Sequence, residues 1–260
     1  MNFLDIQSNI ENAKVIIQPI PFEKTTSYIK GTKNGPKEIL KASKELETYD
    51  IETDSEPYLE GIHTLKPTKI KNIKNHNKFT ISLGGEHSIT YHIFKKLPQK
   101  NLSILHIDAH ADMKDEFEKN KFSHACVMKR IHEINKNIVS IGVRSLDLDE
   151  KKFIDENHIP VFFMESINNN WTEIISFLNE NVYITIDLDS LDPSIMPSVG
   201  NPEPGGFQWY QLLSFLKEVF NKRNIISCDI VELSPKKNDY SSPYIAAKLA
   251  YKLIAYKFKI

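Results

Sequence analysis

Short apolar runs alternate along the chain with segments in which apolar residues recur at every third or fourth position. The short runs are rich in β-branched side chains and predict buried strands, whereas the longer periodicity predicts amphipathic helices. The predicted strands are 15–20, 79–83, 102–107, 138–143, 159–163, 183–186 and 225–231. The predicted helices are 37–46, 89–97, 127–134, 149–157, 171–178, 209–220 and 245–253. Residues 54–78 are polar without clear periodicity, and we interpret them as a surface connection.

The regular alternation of strands and helices predicts an α/β fold in which a mainly parallel sheet is covered by helices on both faces. Pro36 suits the first turn of the first helix, because its missing N–H would be unpaired there in any case. The chain has 260 residues, of which 40% are hydrophobic, and this is enough for a well-buried core. We therefore expect a single domain over residues 1–260.

The charges are nearly balanced, since 33 basic and 34 acidic residues give a formal net charge of −1. Such a chain has no global field that attracts nucleic acid or an anionic membrane, so a small-molecule partner is favoured. Cys126 and Cys228 lie within predicted elements and indicate reduced, buried thiols rather than a disulfide framework. Residues 1–20 lack a signal-peptide pattern, and no apolar run of about 18 residues occurs. We expect a soluble, cytoplasmic protein.

Acidic and histidine side chains follow the predicted strand 102–107 in the order Asp108, His110 and Asp112. Side chains two positions apart on an extended chain point the same way, so these three can converge if the backbone stays extended just beyond the strand. Two carboxylates and an imidazole in such proximity favour a cation between them. An acidic loop with Asx turns is the alternative for this motif taken alone.

Other strand ends carry the same kind of side chain. Asp187 and Asp189 share a face after one strand, His87 follows a Gly84-Gly85 turn after another, and Glu232 ends a third. Ligands of parallel α/β sheets bind at the carboxyl ends of the strands, where these clusters fall. The set is large enough for two metals. Its carboxylate-rich, thiol-free chemistry favours Mn²⁺ or Fe²⁺ in a dinuclear hydrolase that activates a water molecule.

Six motifs occur in a fixed order and extend over most of the chain. They are Gly84-Gly-Glu-His-Ser88, Asp108-Ala-His-Ala-Asp112, Ser123-His-Ala125, Ile186-Asp-Leu-Asp-Ser-Leu-Asp-Pro193, Pro202-Glu-Pro-Gly-Gly206 and Asp229-Ile-Val-Glu232. In these motifs the chain resembles the ureohydrolases, the arginase and agmatinase family of dimanganese enzymes, and is most like agmatinase. The resemblance implies a three-layer α/β/α sandwich, usually assembled as a homo-trimer or homo-hexamer.

The resemblance also implies two Mn²⁺ ions per chain and their ligands. One ion would be bound by His87, Asp108, Asp112 and Asp187. The other would be bound by His110, Asp108, Asp187 and Asp189. Asp108 and Asp187 would therefore bridge the two ions.

The implied reaction is attack of hydroxide on a guanidinium carbon, a poor electrophile because its charge is delocalised over three nitrogens. Glu232 would accept hydrogen bonds from the guanidinium, Asp112 would orient the hydroxide, and His124 would pass a proton to the departing amine. Apart from the resemblance, a lone histidine is more often structural or exposed, and a lone glutamate at a strand end is more often solvated or a cap.

Two further features complete the implied site. We interpret His106 as out of phase with Asp108, so that it faces the opposite side of the strand as a core histidine or as support for a ligand. Family members usually carry a Pro-Gly-Thr-Gly-Thr-like run before the Pro202 motif. This chain instead has Met196-Pro-Ser-Val-Gly-Asn201, so the fit of the substrate is expected to differ at this loop.

Agmatine is the favoured substrate, with putrescine and urea as products. The segment between Asp112 and His124 contains Asp115, Glu116 and Glu118, and in the family this loop borders the mouth of the site. Acids there would repel the α-carboxylate of arginine but not a decarboxylated amine, unless they simply face water. The alternatives are aminopropylagmatine, guanidinobutyrate and arginine.

Three other functions compete with this interpretation. A two-metal phosphoesterase would generally add basic residues that bind the phosphate, and these are scarce in the motif cores. A deacetylase-like enzyme with one Zn²⁺ would leave several carboxylates without a partner. A non-catalytic relative would be expected to lack a ligand, whereas this sequence retains all six ligand positions together with His124 and Glu232.

Overall fold

The computed structural model describes residues 1–167 and 170–260. Within those residues, eight strands form one sheet in which every neighbouring pair is parallel. The strands are β1 Val15–Ile20, β2 Ile62–Thr64, β3 Phe79–Gly84, β4 Leu102–Ile107, β5 Ile138–Val143, β6 Val161–Phe163, β7 Asn181–Asp187 and β8 Asn224–Val231. Their order is β2-β1-β3-β8-β7-β4-β5-β6, so β3, β8, β7 and β4 are adjacent at the centre.

Helices cover both faces of this sheet. They are α1 Gly35–Ala42, α2 Ile89–Phe94, α3 Val127–His132, α4 Leu148–Glu156, α5 Trp171–Ser176, α6 Trp209–Lys222 and α7 Ser241–Lys259. Along β4, Leu105 and Ile107 pack in the apolar core that includes α1, α5, α6 and α7. Leu102 and Ile104 pack in the core that includes α2, α3 and α4. Alternate residues thus face opposite layers, and the predicted three-layer α/β/α sandwich is confirmed.

The segment 54–78, interpreted from sequence as a surface connection, contains the edge strand β2. Ile62 and Thr64 are buried, and both pair in parallel with β1. The strand was missed because it has three residues, and polar His63 and Thr64 interrupt any apolar run.

Helix boundaries differ from those predicted by a few residues. α1 begins at Gly35, with Pro36 in its first turn as predicted, and ends at Ala42, where a 3₁₀ turn over Ser43–Glu45 follows. α2 ends at Phe94, before the predicted end at residue 97, because the chain turns toward β4. No helix in the two described ranges is both long and apolar enough to cross a bilayer.

Candidate active site

The six candidate ligands and Glu232 lie at or just beyond the carboxyl ends of the central strands β3, β4, β7 and β8, and His124 lies in a 3₁₀ turn before α3. After β3 the chain turns through Gly84 and Gly85, and a Cβ added to Gly85 would lie 2.0 Å from the carbonyl oxygen of Phe22. Only glycine fits this close approach of two backbones. The turn brings His87 back over the sheet, toward the residues that follow β4 and β7.

The first cluster surrounds Nδ1 of His87. This atom lies 3.1 Å from Asp108 Oδ2, 3.1 Å from Asp112 Oδ2 and 3.3 Å from Asp187 Oδ2. It is buried, and no hydrogen bond to it is formed within the described residues. Three carboxylate oxygens therefore converge on an unpaired nitrogen, which is the arrangement of ligands around a cation.

The opposite nitrogen of His87 is fixed by a buried network. Nε2 lies 2.9 Å from Thr185 Oγ1, and the Thr185 hydroxyl donates to Asp229 Oδ1 at 2.6 Å. Because that hydroxyl hydrogen points at Asp229, Thr185 Oγ1 accepts from Nε2–H. The lone pair of His87 is then on Nδ1, directed into the cluster, as in other histidine ligands whose second ring N–H donates a hydrogen bond.

The second cluster surrounds Nδ1 of His110. This nitrogen lies 3.1 Å from Asp189 Oδ2 and 3.5 Å from Asp108 Oδ1. Asp108 thus presents one oxygen to His87 and the other to His110, while Asp187 Oδ1 accepts the backbone N–H of Asp189 at 2.9 Å. All six predicted ligand side chains lie in these two adjoining clusters, with Asp108 between them.

His106 corrects one prediction. It does not face away from Asp108, because residues two apart on a strand share a face. Its Nε2 lies 2.8 Å from Asp108 Oδ2 and its Nδ1 lies 3.0 Å from Ser140 Oγ. His106 is fully buried and orients the shared carboxylate, and the two-residue spacing was the signal that could have identified it.

Two of the carboxylates lie on backbone in an uncommon conformation. Asp112 has a φ of 53°, in the left-handed region, and Glu232 has a φ of 67°. Such conformations cost free energy for residues other than glycine and persist where surrounding contacts fix them. Here they turn the two carboxylates into the site.

The charges of the clusters are unbalanced without a cation. Burial, together with Asp189 and Asp108, raises the pKa of Asp187 well above its ordinary value. Burial also opposes charge on His87 and His110. The neighbouring carboxylates nevertheless raise the pKa of His87 well above its ordinary value and the pKa of His110 to about 12. Protons thus neutralise part of the carboxylate charge, and divalent cations can replace them. The donor chemistry, the spacing and the unpaired Nδ1 fit two metal ions.

A cavity of about 330 Å³ opens onto the clusters. Glu232 and His124 both line it, so the structure brings the two predicted catalytic side chains to the same space as the ligands. Glu232 Oε1 accepts the backbone N–H of His87 at 2.6 Å. Burial raises the pKa of Glu232 well above its ordinary value, so a bound cation would favour its ionised form.

The segment 196–201, where the sequence departs from the family pattern, also reaches this cavity. Gly200 and Asn201 line it. A Cβ added to Gly200 would lie 3.3 Å from Glu232 Oε2, so this segment packs directly on the predicted guanidinium acceptor. The departure therefore lies on a wall of the site.

The acids predicted at the mouth are not the ones that line it. Lys114 and Phe117 line the cavity, whereas Asp115 pairs with Arg130 at 2.9 Å. Besides the predicted site acids, Asp147 and Glu150 line the cavity, and sequence analysis missed both. They form the capping box of α4 after β5, and Lys114 Nζ lies 3.1 Å from Glu150 Oε2 and also pairs with Asp147. The Asp-x-x-Glu pattern after a strand was the available signal.

Comparisons with known proteins agree with this geometry. A family model described as the arginase family matches residues 13–256. The N(1)-aminopropylagmatine ureohydrolase of Synechocystis is 37% identical, with 94% of this chain and 89% of the relative covered. The agmatinase of Pyrococcus horikoshii is 32% identical, with 95% and 93% covered.

Among solved structures, the agmatine ureohydrolase of Thermoplasma volcanium superposes with a TM-score of 0.90 at 29% identity, with 99% of this chain and 94% of that chain covered. The match in sequence and fold extends over nearly the whole chain. The chain belongs to the arginase family and is a ureohydrolase, an enzyme that hydrolyses guanidino carbon–nitrogen bonds.

Proposed function

We propose that this ureohydrolase binds two Mn²⁺ ions and cleaves the guanidino group of agmatine to give urea and putrescine. The observation that carries the proposal is the convergence of four aspartates on the Nδ1 atoms of His87 and His110, beside a cavity that Glu232 and His124 also line. A cationic guanidino compound suits such an acidic cavity.

The ligand assignment is the one that the family resemblance implies, and the two clusters support it. His87, Asp108, Asp112 and Asp187 would bind one ion, and His110, Asp108, Asp187 and Asp189 would bind the other. Oxygen and imidazole donors without thiolate suit Mn²⁺ better than a structural Zn²⁺. When bound, the two ions supply the Lewis acidity that gives a water-derived nucleophile near neutral pH.

The other side chains position the reactants. Glu232 accepts hydrogen bonds from the guanidinium and holds its carbon next to the nucleophile. Binding energy is thereby used to orient the reacting groups. Asp112 orients the nucleophile. His124 takes up a proton and delivers it to the amine nitrogen when the carbon–nitrogen bond breaks.

The distal end of the substrate would lie near Asp147 and Glu150. These acids favour an ammonium group and disfavour the carboxylates of arginine and guanidinobutyrate. A second candidate substrate is N(1)-aminopropylagmatine, because the Synechocystis relative and one from Thermus thermophilus, 32% identical, carry that name. Its additional amines also suit an acidic mouth.

We further propose that the enzyme assembles as a homo-trimer or homo-hexamer and works in the cytoplasm. Two buried free cysteines, Cys126 and Cys228, accord with a reducing compartment. Light scattering of the Mn²⁺-loaded protein tests the assembly.

The substrate is tested by urea release from agmatine, N(1)-aminopropylagmatine, arginine and guanidinobutyrate in parallel, with Mn²⁺ present. We expect kcat/KM to be highest for one of the two amines. A higher kcat/KM for arginine or guanidinobutyrate would refute the substrate proposal. A higher value for N(1)-aminopropylagmatine than for agmatine would replace the first candidate with the second.

A further inference from the structure

Glu86 precedes the ligand candidate His87, but its carboxylate is hydrogen-bonded to Lys24, Thr25 and Ser88. Its side chain is fully buried. Oε2 accepts the backbone N–H groups of Lys24 and of Thr25, the latter at 2.6 Å. Oε1 accepts the hydroxyls of Thr25 at 2.8 Å and Ser88 at 2.5 Å. A buried carboxylate is a strong acceptor, so these contacts fix the direction of each donor.

Thr25 connects this carboxylate to His124. Because the hydroxyl hydrogen of Thr25 points at Glu86, its oxygen remains as an acceptor on the other side. The backbone N–H of His124 donates to this oxygen at 3.0 Å, and the ring Nδ1 lies 3.2 Å from it. An unprotonated Nδ1 would place its lone pair against those of the oxygen. The contact is therefore favourable when Nδ1 carries the proton.

Two other neighbours of the ring accord with this assignment. Ser123 Oγ also lies 3.2 Å from Nδ1, but its hydroxyl can rotate and accept from the same N–H. The ring of Phe117 contacts the imidazole edge to face, with centroids 5.7 Å apart. Of the two hydroxyls at Nδ1, Thr25 is the one whose hydrogen a carboxylate has already fixed.

We propose that Glu86 and Thr25 are positioning residues that fix His124 as the Nδ1–H tautomer and leave Nε2 as the nitrogen that exchanges protons in the cavity. The inference rests on the proton-transfer role proposed above for His124. Nε2 accepts a proton from the nucleophile side and transfers it to the departing amine, while the Nδ1 proton stays on the ring. Glu86 thereby supports the proton-transfer residue, while the adjacent His87 belongs to the ligand clusters.

The kinetic test compares Thr25→Val with Thr25→Ser in the full-length, Mn²⁺-loaded enzyme. Valine preserves the branched shape without the hydroxyl, and serine preserves the hydroxyl. We expect Thr25→Val to lower kcat by at least about 10-fold, with KM and bound metal within about twofold, and Thr25→Ser to stay within about threefold of wild type. Ser123→Ala removes the other hydroxyl at Nδ1 and is the matched control, expected to stay within about threefold.

Equal losses of kcat in Thr25→Val and Ser123→Ala, or no loss in Thr25→Val, would overturn the proposal. If His124→Asn loses kcat while Thr25→Val does not, only the positioning proposal fails. If His124→Asn retains kcat, the role proposed for His124 fails as well.

A second measurement does not depend on turnover. The ¹⁵N spectrum of the imidazole rings is recorded on the full-length protein loaded with Zn²⁺, whose filled d shell keeps the sample diamagnetic. The His124 signals are identified by their absence in His124→Asn. Under mildly alkaline conditions we expect a protonated Nδ1 and an unprotonated Nε2. A protonated Nε2 in the wild-type protein would refute the proposal, even if Thr25→Val did not fold.

Discussion

The carboxylate of Asp108 has the most contacts with the histidines of the site. Its two oxygens face His87 on one side and His110 on the other, and His106 donates to one of them. Burial opposes its charge, but His106 and the other two histidines hold its pKa well below the ordinary value. Asp108 therefore remains ionised while Asp187 nearby favours its protonated form. Neighbouring carboxyl groups whose pKa values are shifted in opposite directions are typical of functional sites.

Asp108→Asn should consequently disable both clusters at once. We expect it to remove more than half of the bound Mn²⁺ and nearly all turnover, because the amide loses charge toward two ions. Elemental analysis and urea release measure the two effects. Asp155→Asn is the control, since Asp155 is an exposed partner of Lys151 on α4. Two metals per chain in Asp108→Asn would contradict the ligand assignment.

Substitutions of Glu232 and His124 should have different kinetic effects. Glu232→Gln is expected to retain both metals but to lose turnover and substrate affinity, because the guanidinium loses its charged acceptor. His124→Asn should chiefly lower kcat, by about 10²–10⁴-fold, because proton transfer contributes on that scale. Steady-state kinetics with metal analysis distinguishes them. An unchanged kcat in His124→Asn would exclude it from the mechanism.

At the residue scale, regular spacing identified four of the candidate ligands, whereas contacts between distant segments could not be predicted. Asp108, His110, Asp187 and Asp189 could be found because pairs two positions apart follow apolar runs. His106 obeys the same rule and was misassigned. The contact of Thr25 with His124 joins residues 99 positions apart, and neither sequence neighbourhood signals it.

At the element scale, parallel pairing collects the site. β3, β8, β7 and β4 were each predicted from apolar runs, and their adjacency brings four separated segments to one edge of the sheet. The order of the strands was not predicted, because apolar runs carry no pairing register. β2 escaped prediction for a different reason, since a three-residue edge strand is too short to show a period.

The long helix α7 is joined to the segment after α1 by a buried ion pair. Lys252 Nζ lies 2.9 and 3.0 Å from the two oxygens of Asp50, and both side chains are nearly inaccessible. Burial alone would raise the pKa of Asp50, but Lys252 and Thr53 lower it below its ordinary value. The stabilisation is therefore complete above the unfolded-state value of about 4 and is lost as the pH falls through the lowered folded-state pKa.

Lys252→Met should destabilise the protein by about 3–5 kcal/mol at pH 7, because it leaves the buried Asp50 charge uncompensated. The deficit should shrink below about pH 4, as protonation removes that charge. Urea denaturation of the variant and the wild type at pH 7 and below about pH 4 measures the loss of stability under both conditions. Lys151→Met on α4 is the control, with an expected loss under about 1 kcal/mol because its partner Asp155 is exposed. A deficit that does not change with pH would contradict this explanation.

At the scale of the whole molecule, the site combines residues from distant parts of the chain. Its candidate ligands extend from His87 to Asp189, and its walls add Tyr28, Asp147 and Glu232. The fold class and the proximity of the candidate ligands could be predicted because they depend on local periodicity and strand ends. The mouth could not, because the loops that form it are brought together only by the completed fold.

Because the candidate ligands come from distant parts of the chain, we expect bound metal to stabilise the whole fold. Ions that bind the clusters would connect the turn after β3 with the ends of β4 and β7, and a ligand bound only by the folded chain stabilises it by about 2.7 kcal/mol at 100 times its Kd. For a chain of this size we expect a rise in Tm on the order of 5–10 °C on addition of Mn²⁺ to chelator-treated protein. Scanning calorimetry at several Mn²⁺ concentrations measures it. Asp155→Asn should retain the rise, and Asp108→Asn should lose most of it, because the clusters share that carboxylate. An equal rise in Asp108→Asn would mean that the stabilising ions bind elsewhere.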